Sequence, residues 1–99
     1  MRAELVLAPA AEQDVGEAYA WYEARRTSLG EDFLLCLEAC LENIRRSPEM
    51  HPVVHGEHRR CLVRRFPYAL FYKVTERTVT VHAVLPTARD PQKWRERLP

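Results

Sequence analysis

The spacing of apolar residues changes period partway along the chain, and the change separates what its two parts can become. In residues 9 to 46 apolar side chains recur every three or four positions. From residue 59 to 85 they alternate or run together among Thr, Val, Tyr and Phe. The first spacing places a stripe along a helix and the second suits a pleated strand. Helices therefore precede strands instead of alternating with them, which predicts an α+β fold: an antiparallel sheet packed on an N-terminal helix pair.

The local signals fill in this frame. Residues 2 to 7, RAELVL, alternate around a β-branched Val and read as a first strand with Ala3, Leu5 and Leu7 on one face. Pro9 suits the first turn of a helix. Ala11, Val15, Ala18 and Tyr22 then form the stripe of a helix over about 9 to 26. Ser28, followed three residues later by Glu31, has the spacing of a capping box at the start of a second helix. That helix carries Phe33, Cys36, Leu37, Cys40, Leu41 and Ile44 on its stripe and ends by Ser47-Pro48. The stretch PEMHPVVHGEHRR, with two prolines and a glycine, reads as a connection. Strands are predicted in RRCLVRRF, YALFYKV and TVTVHAVL, the last two joined by a short hairpin turn. Asp90 and Pro91 supply the N-cap and first position of a short C-terminal helix. The predicted order is β-α-α-β-β-β-α, a single domain over 1–99.

Composition matters for what it excludes. With 46% apolar and 29% charged residues, the chain is neither disordered nor membrane-like. The apolar run near the start is too short for a signal-peptide core, and no stretch approaches a membrane span. A soluble protein that stays in the cytoplasm is the expectation, its three cysteines reduced. The overall charge of +1 hides a segregation: five Arg against ten acids before residue 51, a net of −5, and ten Lys and Arg against four acids after it, a net of +6. A basic half of this kind suits an anionic or acidic partner.

Most chemical motifs fail on spacing. His51, His55, His58 and Cys61 lack the paired-ligand pattern of a zinc site, so no metal is expected. Cys36 and Cys40 read as small apolar residues of a helix stripe. The three glycines form no phosphate-binding loop, and no cofactor is expected. The arginine pairs of RRCLVRRF are different. A continuous strand over 59 to 66 would point Arg60, Leu62, Arg64 and Phe66 one way and Arg59, Cys61, Val63 and Arg65 the other. Neither face is wholly apolar, so part of the strand is expected to present a basic platform, with Arg89, Lys93, Arg95 and Arg97 following.

Four segments together, AEQDVGEAYAWYE, LGEDF, RRFPYALFY and AVLPTARDPQKWRERL, resemble the RelE/ParE superfamily of toxins from bacterial type II toxin–antitoxin (plasmid stabilisation) modules. The linked WYE, FPY-x3-Y and R-x4-W-x2-R elements carry the resemblance over nearly the whole chain.

The resemblance implies a cognate antitoxin that is small, acidic and partly disordered, and one of two targets. ParE-like members are described as poisons of DNA gyrase; RelE-like members enter the ribosome and cleave mRNA without a metal. Such a nuclease needs a base, an acid and cations around the phosphate. Arg60, Arg64 and Arg89 fit parts of the nuclease pattern. Ala69 stands where the pattern has an arginine, Leu62 where it has an alternate basic residue, and Trp94 where it has an acid. Arginine is a poor base or acid because its pKa is so high. The residues therefore favour the ParE-like branch, without a confident catalytic set. The alternatives are a RelE-like endoribonuclease and a degenerate, non-toxic binding member. Arg59, Arg60, Arg64, Arg65, Arg89, Trp94 and Arg95 are the candidate target- or antitoxin-binding residues.

Overall fold

The computed structural model describes residues 3–99; Arg2 of the expected first strand lies outside the described residues. The elements are β1 (Glu4–Leu7), α1 (Pro9–Arg25), α2 (Leu29–Arg46), β2 (Val53–His55), β3 (His58–Leu62), β4 (Tyr68–Thr75), β5 (Thr78–Pro86) and α3 (Pro91–Arg97). They form one five-stranded sheet in the order β1-β5-β4-β3-β2.

Two features of the sheet differ from the expectation. It is mixed, because β1 pairs with β5 in parallel, Leu5 opposite Val79 and Leu7 opposite Val81. The long helical excursion through α1 and α2 supplies the crossover that a parallel pair requires. The predicted connection also contains a strand, β2. It pairs antiparallel with β3, His55 opposite His58, through a turn in which Gly56 has a φ of 58°. A glycine takes that conformation without steric cost.

The helix pair packs as its stripes predict. Ala11, Ala18 and Tyr22 of α1 and Phe33, Leu37, Cys40 and Ile44 of α2 are buried against Cys61, Leu70, Tyr72, Val79, Val81 and Val84 of the sheet. Gly30 lets the two helices meet, since a Cβ there would lie 2.9 Å from the Tyr19 carbonyl oxygen. The expected capping box does not form. Ser28 adopts a left-handed φ of 75° and its side chain caps nothing. The Glu23 carboxylate instead accepts from the backbone N–H of Ser28 at 2.9 Å and of Gly30 at 3.0 Å. Glu31 accepts from the Tyr19 hydroxyl at 3.0 Å.

The opposite face of the sheet is covered in part by α3. Asp90 caps it as predicted, accepting from Gln92 N at 2.8 Å. Trp94 and Leu98 bury against Ala69, Phe71, Ala83 and Leu85, the Trp94 ring stacked on Phe71 at 4.8 Å. A β-bulge makes this second core possible. Tyr72 faces Val81 but its neighbour Phe71 faces Ala83, leaving His82 as an extra residue. Val79 and Val81 point to the helix pair before the bulge; after it Val84 does so, while Ala83 and Leu85 point to α3. The extra residue shifts the phase of the side-chain alternation.

Candidate target-binding surface

The strand expected over 59 to 66 stops at Leu62. Residues 63 to 67 form a loop closed by Val63 N donating to Tyr68 O at 2.9 Å and Tyr68 N to Phe66 O at 2.7 Å. Within it Arg65 takes a left-handed φ of 72°. That turn breaks the alternation and sends Phe66 to the helix side with Cys61 and Val63, where it meets Tyr22 and Phe33 edge-on. Phe66 is thus not on the face of Arg60 and Leu62, as a continuous strand would have placed it. Arg64 and Arg65 are left exposed at the loop's tip.

A second segment meets this loop. Thr87 N donates to Pro67 O at 2.9 Å, which fastens the β5–α3 turn beside the β3–β4 loop. Arg89 sits on that turn, exposed, its N–H bonded to Pro86 O at 3.1 Å. The fold thus gathers Arg64, Arg65 and Arg89 at one end of the sheet, and none of the three forms an ion pair among the described residues. Tyr68 lies close enough to feel Arg89; burial raises its phenol pKa, and the arginine's charge opposes the rise.

The other candidate residues divide differently. Arg60 pairs with Phe71, which puts it on the α3 face next to Leu62, 58% exposed. Arg95 lies 5.3 Å from the centre of the Trp94 ring, exposed above the second core. Trp94 itself is buried, only 8% exposed, so its ring belongs to the sheet cover. Arg59 lies on the helix face and is occupied: its guanidinium donates to the carbonyls of Glu49 at 3.0 Å and His51 at 2.7 Å, tying down the chain that leaves α2.

One structural anchor had no signal in the sequence. Asp14, on the polar side of α1, accepts from Val84 N at 3.0 Å and receives both terminal nitrogens of Arg97, at 3.1 and 2.8 Å. Beyond Leu7 the edge of β5 has no strand beside it, and this carboxylate takes the open N–H. Arg97 thereby holds the end of α3 to α1. The partners lie 70 and 83 residues away in sequence, beyond the reach of any local pattern.

Three exposed arginines from two segments thus stand toward one end of the sheet. The fold is shared with a solved structure: it superposes on a chain of the chromosomal ParDE TA system from P. aeruginosa with a TM-score of 0.76, at 11% identity, covering 86% of this chain and 96% of that one. No curated protein sequence matches the chain. The model of the ParE toxin of type II toxin–antitoxin systems, parDE, matches residues 5–91, and the chain belongs to that family. It is the toxin component of such a module, and a cognate antitoxin is its partner. No helix among the described residues is long and apolar enough to cross a membrane.

Proposed function

We propose that this toxin arrests growth by binding and inhibiting DNA gyrase in the bacterial cytoplasm, through a surface centred on Arg64, Arg65 and Arg89, and that its antitoxin is a small acidic protein. Family membership supports the target. The observation that carries the surface is the convergence of three exposed, unpaired arginines from two separate segments. Burial of Trp94, where a nuclease of the wider superfamily would hold an acid, argues against RNA cleavage.

The test is a graded substitution series read in two assays. Rim charges contribute modestly and nearly independently to association. Arg64→Ala, Arg89→Ala and Arg65→Asn, the last chosen because Asn tolerates a left-handed φ, should each weaken inhibition of gyrase supercoiling about twofold to tenfold. Double variants should approach the product of the single effects. Cleavage of ribosome-bound mRNA by the parent protein, abolished by Arg89→Ala alone, would sink the proposal.

A further inference from the structure

Between the second half of α2 and β3 lies a cleft of about 330 Å³ lined by Cys36, Cys40, Asn43, His51, Cys61 and Arg64. The Sγ atoms of Cys40 and Cys61 stand 2.7 Å apart, with Cys40 donating. Both are free thiols, and they approach more closely than two sulfur atoms in van der Waals contact. A disulfide needs about 2.05 Å, so closing the bond requires a movement of well under an ångström. The two residues come from different elements, and their contact joins helix to sheet at one wall of the cleft. The mouth is polar: Arg64 is exposed, and His51 bonds to the Asn43 side chain at 2.9 Å. A volume near the lower end of those that hold small molecules, with one guanidinium and an amide at the rim, suits a small carboxylate-bearing molecule.

We propose that Cys40 and Cys61 are a redox-active dithiol, oxidised to an α2–β3 disulfide by an acidic low-molecular-weight disulfide of the glutathione class, one half of which enters this cleft. The hydrogen bond from Cys40 lowers the pKa of Cys61, and the same bond together with burial raises that of Cys40. Cys61 is therefore the attacking thiolate and Cys40 the resolving thiol. In the first step the Cys61 sulfur attacks one sulfur of the oxidant, forming a mixed disulfide and releasing one thiolate. Cys40 then loses its proton to solvent and attacks the Cys61 sulfur, displacing the second thiolate. Two electrons and two protons pass to the oxidant, which leaves as two thiols. The new bond closes the loop between positions 40 and 61, which contains β2 and the end of α2. It restricts the unfolded chain and so makes the oxidised toxin harder to unfold.

The experiment uses the purified full chain, equilibrated with oxidised and reduced glutathione in graded ratios, alkylated and mapped without reduction. The expected product is one linked peptide pair holding Cys40 and Cys61, with a denaturant midpoint higher than that of the reduced chain. Cys40→Ser should trap a glutathione adduct on Cys61, and Cys36→Ser should behave as the parent. A native chain that reacts only after denaturant is added would overturn the proposal, as would an adduct confined to Cys36. Because the parent protein gives the primary result, a variant that folds poorly does not blunt the test.

Discussion

Asp14 shows how much one side chain can connect. Its carboxylate is only 10% exposed and meets a backbone N–H of β5 and the guanidinium of Arg97, itself 31% exposed. Removing the acid leaves a buried N–H without an acceptor and a cation without its partner, and both losses carry a desolvation penalty. Asp14→Ala is expected to lower stability by about 2 to 3 kcal/mol. Arg97→Ala should cost less, about 1 to 2 kcal/mol, because the carboxylate keeps its bond to Val84 and Arg97 was partly solvated already. Urea denaturation of the two variants checks the order; equal losses would mean that the Val84 bond contributes little. Residue-scale features of this kind were poorly legible in the sequence. Ser28 and Glu31 have capping-box spacing, yet Glu23 caps α2 because Ser28 is turned into a left-handed conformation that removes its side chain from the N-terminus. Arg59 reads as one of four similar arginines, and only the folded path of residues 47 to 52 shows that two carbonyls occupy it.

At the scale of elements the sequence was more informative, in proportion to element length. The stripes of α1 and α2 identify the residues that are buried, since a helix of several turns repeats its signal. The three-residue β2 repeats nothing, and its prolines and glycine read as a loop. The parallel placement of β1 depends on pairing across more than seventy residues, which local alternation does not encode. The helix α3 was legible from its Asp-Pro start, but at seven residues it is too short to be stable alone and depends on what it covers. Trp94→Ala removes the ring stacked on Phe71 and should cost about 3 to 5 kcal/mol, as for a large aromatic lost from a core. Thermal or urea denaturation measures it; unchanged stability would show that the covering of this face contributes nothing to folding.

Across the whole molecule, acids gather on the helix pair and cations on the sheet and α3, in keeping with the net charges of the two halves. The basic side also contains a group sensitive to pH. His58 of β3 is 3% exposed, and its Nε2 has no hydrogen-bond partner. Its ring lies 5.2 Å from that of His82, with Lys73 and His55 also near. Burial, then the charges of His82 and Lys73, lower its pKa below 6.5; burial is the first cause for His82 and His51 as well. The unfolded chain thus takes up protons at a pH where the native state still refuses them. Stability is fully present above pH 6.5 and falls as the pH drops below it toward the folded-state values. A denaturant midpoint that declines from about pH 7.5 to 5.5, with a slope reduced in His58→Leu, is the expected result. A flat profile in the parent protein would contradict it.

The extra residue at His82 also has a consequence for how such a chain can vary over generations. Because the bulge sets which side chains of β5 belong to which core, an insertion or deletion of one residue between Thr78 and the bulge would exchange two sets of neighbours at once. Changes by two residues keep both cores in phase. The strand therefore behaves as a spatial reading frame, and descendants of this toxin should differ in the lengths of their loops far more readily than in the length of β5.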